Sequence, residues 1–362
     1  MYKFLFFIIY CLLSFIGCEK QISSNRSEQG VKIFKNVYST PLRGNRLTVS
    51  DSLGIPSDIE HINITENSDA FAIITDITIV PPLHFVNLTD DKYITGIGRE
   101  GRGPGEFLNP HTLFSFSKDS ILVLDPNNNR LTKVILTNEN HLKHLHNAEP
   151  EIINLKFHGL PLNAFPLKND TYVATGLIRD KDNKFISILN SNGTEKELTG
   201  TPPEISQEVP VNKKQVARKS TSTSNNKGDK FAVGFSFTDI IQIYNYKGEV
   251  LETIKGPIQS ELNFNKNKSG NFTLSDDNIS AYIDLASTSN YLYALYSGKK
   301  IYSSNSNFGN LIFIFDWKGN LIKSFELDRQ IFSITVDKQD SVLYGIDPSS
   351  LEPGIYQYNL SF

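Results

Sequence analysis

Lys118-Asp119-Ser120-Ile121-Leu122-Val123-Leu124 is a polar turn followed by a run of apolar, β-forming residues. The phrase returns as Ser68-Asp69-Ala70-Phe71-Ala72-Ile73-Ile74 and Asn169-Asp170-Thr171-Tyr172-Val173-Ala174. It returns again as Gly228-Asp229-Lys230-Phe231-Ala232-Val233, Ser289-Asn290-Tyr291-Leu292-Tyr293-Ala294 and Gln339-Asp340-Ser341-Val342-Leu343-Tyr344. From Asp69 the steps to the next turn are 50, 51, 59, 61 and 50 residues. Steps of this order belong to solenoids and propellers, in which one supersecondary unit is copied along the chain.

Each copy reads as a hairpin-based unit. In the second, Leu113 to Ser117 is a strand, Lys118-Asp119 a turn and Ser120 to Asp125 the next strand. Asp125-Pro126-Asn127-Asn128-Asn129 is a strong turn, and Leu131 to Leu136 follows as a third strand. The outer hairpin is clearest where Leu311 to Asp316 and Leu321 to Phe325 flank Trp317-Lys318-Gly319-Asn320. Ile121 to Leu124 and Leu311 to Phe315 are apolar on both faces, whereas a strand with one wet face alternates. Sheets packed face to face around an axis explain that pattern, so the expected fold is all-β, a six-bladed β-propeller.

The last unit offers Ile331 to Val336, Ser341 to Ile346 and Ile355 to Leu360, one strand short of four. An open edge of that kind invites mispairing. The apolar stretch Val31 to Val37 has no partner of its own, so it is expected to complete the last blade and close the ring.

The first residues read as a targeting segment. Lys3 precedes an apolar run from Phe4 to Ile16, too short for a span of roughly 20 residues. Phe15-Ile16-Gly17-Cys18 resembles a lipobox, with Phe15 where Leu, Val or Ile is usual, which makes Cys18 the expected lipidation site. An ordinary secretory signal is the competing reading. The expected organisation is a lipoprotein signal over 1–17, a polar tether over 18–30 and a propeller over 31–362. Cys11 lies inside the apolar run, so a chain starting at Cys18 has no disulfide and no thiolate metal site. The formal charge of −3 becomes −4 when Lys3 is lost, too mild to argue for nucleic acid. The expected partner is the membrane, reached through the lipid, with the protein exported to the cell envelope at the outer membrane.

Gly96-Ile97-Gly98-Arg99-Glu100-Gly101-Arg102-Gly103-Pro104-Gly105-Glu106-Phe107 follows the first unit. Together with the lipobox and the six units, it resembles the TolB-like six-bladed propeller lipoproteins common in Bacteroidetes, and the turn of NHL repeats. The resemblance covers nearly all of the chain after the signal. It implies a fold and leaves the activity open.

Within that phrase, successive amides beside Arg99 and Arg102 are a candidate anion nest, with Glu106 at its end. The competing reading is an inter-blade crossover, with Phe107 plugged between sheets and Glu106 pairing an Arg. No Gly-Lys-Ser/Thr and no helix follows, which excludes a P-loop and a dinucleotide fingerprint. His144 and His146 would share one strand face near His141, but exposed histidines explain them as well. Lys213, Lys214, Arg218 and Lys219 read as a mobile solvated loop, or else as a lid. The links from Pro257 to Ser275 and from Ser297 to Asn310 are polar, and the second carries Tyr302 and Phe308 as candidate ligand contacts. Asp-Ser pairs at Asp51, Asp119 and Asp340 match a loose O-glycosylation pattern, and turn chemistry explains them equally.

Two functions fit. One is a lipid-anchored, non-enzymatic module that binds a peptide, a glycan or an envelope protein and needs no cofactor. The other is a propeller enzyme of lactonase or lyase type, with calcium held in the central channel. No Gly-x-Ser-x-Gly, His-Glu-x-x-His or catalytic cysteine is present. Asp76, Asp125, Asp239, Asp284 and Asp347 lie near strand ends, where Asp is normally turn chemistry. Three or more Asp, Glu, Asn or His side chains meeting at one point of the channel would favour the enzyme.

Overall fold

The computed structural model describes residues 25–27, 30–35, 37–62, 70–76, 78–117, 120–136, 151–157, 159–178, 184–348 and 352–361. Cys18 and the histidines at 141, 144 and 146 lie outside them. Six antiparallel sheets carry the repeat, and their strands are named A to D from the axis outward. The A strands are Asp58–Ile62, Thr112–Ser117, Gly159–Leu167, Ser220–Ser224, Ile279–Ser287 and Ser333–Val336. Each touches the next, and the last touches the first, so the ring is complete at the axis.

The recurrent phrase is the A–B turn and the B strand. In blades three, four and six its Asn, Asp or Gly residues supply the left-handed backbone that the turn uses: Asn169 (φ 63°), Asp170 (φ 52°), Gly228 (φ 62°) and Asp340 (φ 59°). The B strands are apolar on both faces because each serves two neighbours. In Ser120–Asp125, Ile121 and Val123 enter the core shared with blade one. Leu122 and Leu124 enter the core shared with blade three. Further inter-blade cores join the remaining pairs, including blades six and one through Ile346, Ile355, Ile59 and Ile74.

The N-terminal chain corrects one expectation. Val31–Ile33 pairs in parallel with Val250–Lys255 of blade four, not with blade six. Phe34 then packs edge-on to Phe313 and Phe315 of blade five, at centroid distances of 5.0 and 5.5 Å. Thr40–Leu42 pairs in parallel with Leu321–Ile331, the outer strand of blade five. Asn45–Arg46 lies antiparallel to Gly354–Asn359 and is the fourth strand of blade six. A strap along three blades thus replaces the single closing strand. The physical reason is that a two-residue outer strand needs no apolar run, so only the more hydrophobic part of the strap stood out in the sequence.

The links after blades three and four are folded. Val211–Lys214 forms one α-turn and Gln215–Arg218 a 3-10 turn. Phe264–Lys266 and Phe272–Leu274 form a hairpin. Val209, Ala217, Leu262 and Phe264 make a small core of their own. Gln207 joins the two links, since its Nε2 donates to the Phe264 carbonyl at 3.2 Å and its Oε1 accepts the Phe264 amide at 2.6 Å. The basic stretch is therefore not the solvated loop expected. Arg218 is 2 % exposed and belongs to the packed link. No helix among the described residues is long and apolar enough to cross a membrane.

Candidate functional site: the axial channel

The A strands line a channel with two chambers, of about 330 and 380 Å³. Asp58, Thr112, Asn163 and Asp284 line both, and they form the waist. The smaller chamber opens toward the A–B turns and is lined by Glu60, Ser222, Thr223 and Ser287, with Lys168, Lys227 and Lys338 at the turns. The larger lies toward the starts of the A strands, on the side of the folded links. Lys219, Phe237, Tyr282, Asn307 and Phe332 line it.

At the waist the carboxylates accept donors from neighbouring blades. Asp58 takes the Leu113 amide of blade two at 2.9 Å and the Ser333 hydroxyl of blade six at 2.8 Å. Asp284 takes the Ile334 amide of blade six at 2.8 Å and the Thr221 hydroxyl of blade four at 3.4 Å. Glu60 takes the Ser115 amide at 2.8 Å on Oε1 and lines the smaller chamber. These bonds satisfy inner-edge amides of blades two and six, which would otherwise be orphaned.

Burial raises all three carboxyls. Desolvation pushes Glu60 up to about 8, opposed by the Ser115 amide and reinforced by the charges of Asp58 and Asp284. Asp58 is raised by burial against three hydrogen bonds. Asp284 is raised by burial and then by the charge of Asp58. Among the described residues, no three or more His, Cys, Asp or Glu are grouped to hold a metal ion.

The other strand-end carboxylates do not converge on the axis. Asp125 accepts the Leu108 amide at 2.7 Å and Asn128 Nδ2 at 2.7 Å. Asp239 accepts the amides of Ile258, Gln259 and Ser260. Asp76 caps Thr78, whose amide donates at 2.9 Å. Asp347 lies 3.9 Å from Arg329. Of the five, Asp284 alone lines the channel chambers.

The glycine-rich phrase lies away from these chambers. Arg99–Glu100 and Glu106–Phe107 pair in parallel, and Phe107 is buried in the core between blades one and two. The Glu106 carboxylate accepts the Gly103 amide at 2.7 Å, so the loop's own anion sits where a nest would receive one. Arg130 of blade two ties the loop from below, donating to the Arg102 and Glu106 carbonyls. Arg99 is exposed, and Arg102 donates to Asn128 Oδ1 at 3.3 Å. Tyr302 is 67 % exposed on the B–C loop of blade five. Phe308 ends that loop and meets Phe332, at the larger chamber, edge to face at 6.2 Å.

Asp58 and Glu60 were not singled out by sequence. Their signal was the alternation Asp58-Ile59-Glu60, which places both on one face of a strand while Ile59 enters the core.

Six radial sheets around a polar axial channel define the class as a six-bladed β-propeller. The chain belongs to the TolB-like 6-blade propeller-like family, whose model matches residues 60–339. It is similar in fold to a Bacteroides fragilis protein named for its expected export. That likeness has a TM-score of 0.59 at 12 % identity, over 91 % of this chain and 98 % of the other. It is also similar to a duf4221 family member from Bacteroides vulgatus, with a TM-score of 0.54 at 10 % identity over 90 % and 97 % of the two chains. No curated protein matches the chain.

Proposed function

We propose that this protein is an exported, lipid-anchored binding module of the cell envelope, held at the outer membrane through Cys18, with the axial channel as its ligand site. The observation that carries the reading is the pair of chambers meeting at a polar waist, with folded links on one side. Each chamber falls in the range of small-molecule sites, roughly 300–1,000 Å³. Asp58, Glu60, Asp284 and Asn163 do line one chamber, which keeps the enzyme reading open. Binding is favoured because no three carboxylates or histidines among the described residues are grouped to hold a metal ion, and because Asp58 and Asp284 commit oxygens to amides of neighbouring strands. Export is supported by the apolar run before Gly17-Cys18 and by the name of the Bacteroides fragilis relative.

The test is a thermal-shift screen of the purified chain against envelope-derived peptides and glycans, repeated on Asn163→Trp. Asn163 lines both chambers, so a Trp there fills the waist. A ligand that raises the melting temperature of the wild type and not of Asn163→Trp is the expected result. Ligands that bind both proteins equally place the site elsewhere and overturn the reading.

A further inference from the structure

The larger chamber, on the side of the folded links, is walled mainly by uncharged polar residues. Each blade contributes one on or beside its A strand: Ser57, Thr112, Asn163, Ser220, Ser280 and Ser333. Lys219 is the single lysine in the wall, and no arginine lines it.

Several of these groups keep hydrogen-bonding capacity for a ligand. The Thr112 hydroxyl donates to the Leu162 carbonyl at 2.9 Å, and the Ser333 hydroxyl donates to Asp58 at 2.8 Å. A hydroxyl that donates once still has lone pairs, so both can accept. Ser220 is uncommitted. It is 7 % exposed, and its Oγ is buried with no hydrogen-bond partner among the described residues. A buried hydroxyl left in that state costs free energy until a ligand or a water satisfies it. At the waist, Asp58 and Asp284 accept from a ligand hydroxyl when ionised and donate to one when protonated, so they serve a hydroxyl in either state.

Aromatic rings join this polar wall. Phe332 lines the chamber, is 37 % exposed and is braced edge to face by Phe308 at 6.2 Å. Phe237 of blade four also lines it and packs against the small core of the folded links. The Lys219 ammonium lies 5.3 Å from the centroid of the Phe237 ring, which leaves Phe332 as the more open platform.

Such a wall selects its ligand by composition. A sugar ring has an apolar C–H face that packs on an aromatic ring, and a rim of hydroxyls that each donate and accept. An apolar ligand would strand the polar wall without partners. An anionic ligand finds one lysine, already drawn to a ring face. A peptide brings terminal charges for which the wall holds no matched pair.

We propose that the larger chamber binds the end of a neutral oligosaccharide, its terminal ring against Phe332 and its hydroxyls on Ser220, Asn163 and the Asp58–Asp284 waist. The proposal rests on the channel being the binding site, and it selects glycan over peptide.

The test is calorimetric titration of the full chain with maltotriose, cellotriose, mannotriose and triacetylchitotriose, beside trialanine and trigalacturonate. At least one neutral sugar should bind tenfold or more tightly than either control. Phe332→Ala should lose tenfold or more, Ser220→Ala several-fold, and Phe332→Trp should keep the affinity. Trp317 is the one native tryptophan and is 7 % exposed, so the indole added in Phe332→Trp should report the same sugar by a change in fluorescence. Circular dichroism melts confirm that each variant folds, and the variants of the partly exposed Phe332 keep the test alive if Ser220→Ala does not fold. No binding of any neutral sugar at millimolar concentration overturns the proposal. So does a control that binds as tightly as the best sugar, unchanged affinity in Phe332→Ala or a silent indole. If the sugars fail while Asn163→Trp still abolishes binding of another ligand, the channel remains the site and only the glycan proposal falls.

Discussion

Asp58 of blade one and Asp284 of blade five meet across the start of the inner strand of blade six. The Ser333 hydroxyl donates to Asp58 Oδ1, and the next amide, Ile334, donates to Asp284 Oδ2, each at 2.8 Å. Two carboxylates from different blades thus hold a third blade at the axis, and each raises the energy of the other's charge.

That arrangement, with Glu60 beside it, fixes the sign of a pH dependence. A carboxyl with a higher pKa folded than unfolded holds its proton longer in the native state, so stability falls as pH rises through the window. For Glu60 the window runs from its ordinary 4.5 to about 8. The groups facing it are Asp58, Asp284 and Lys338, and the first two carry raised values of their own. The melting temperature should be higher near pH 5 than near pH 8, and Glu60→Gln should flatten the slope. A melting temperature that climbs over the same interval would contradict this account of the waist.

Phe34 tests the strap. It is 2 % exposed and meets Phe313 and Phe315 of blade five. Its amide also donates to the Lys255 carbonyl of blade four at 3.2 Å. Phe34→Ala should cost about 3–5 kcal/mol, the usual range for a buried aromatic cut to Ala. Urea melts of the variant would read this as a lower midpoint at unchanged slope. A variant that melts with the wild type would mean that the strap contributes nothing.

The blades were legible because their signal is redundant. Each B strand shows apolar residues on both faces, and each turn before it carries an Asp or Asn, with left-handed backbone in the turns of blades three, four and six. Asn45–Arg46 was not legible, because a short edge strand half open to solvent has no pattern to find. The waist was legible only in part. Asp284 stood among five similar strand-end aspartates, and its neighbours in sequence do not separate it from Asp239, which caps a turn. What separates them is the closure of the ring, which brings Asp284 beside Asp58 more than two hundred residues away in sequence. Phe308 was picked for lying on a long loop, and it reaches the channel only through Phe332, which begins the next blade.

The glycine-rich crossover should respond to its backbone more than to its surface charges. Gly105 has φ 71°, so Gly105→Val forces a β-branched residue into left-handed backbone, at a cost of roughly 1–2 kcal/mol. Gly103 is not among the positive-φ glycines, and a Cβ there would lie 3.0 Å from Glu106 Oε2, so Gly103→Val should cost less by moving a side chain. Arg130→Leu strands the Arg102 and Glu106 carbonyls and should cost on the order of 3 kcal/mol. Arg99→Ala, at an exposed position, should be nearly neutral. Thermal melts would check the ranking, and a large loss in Arg99→Ala would show that the phrase depends on its charge.

The proposed lipid attachment at Cys18 makes the most direct prediction about location. The apolar run from Phe4 to Ile16 is long enough to engage an export pathway and too short to span a bilayer. Nothing in it would hold the mature protein at a membrane once Gly17-Cys18 is cleaved. Any retention then comes from acyl chains, and dual acylation is the kind of modification that anchors stably. In cells labelled with radioactive palmitate, the wild type should carry label and fractionate with membranes. Cys18→Ala should carry none and should appear either in the soluble fraction or as an uncleaved precursor of higher mass. Unlabelled wild type in the soluble fraction would identify the segment as an ordinary secretory signal, and the propeller would then meet its ligand free of the membrane.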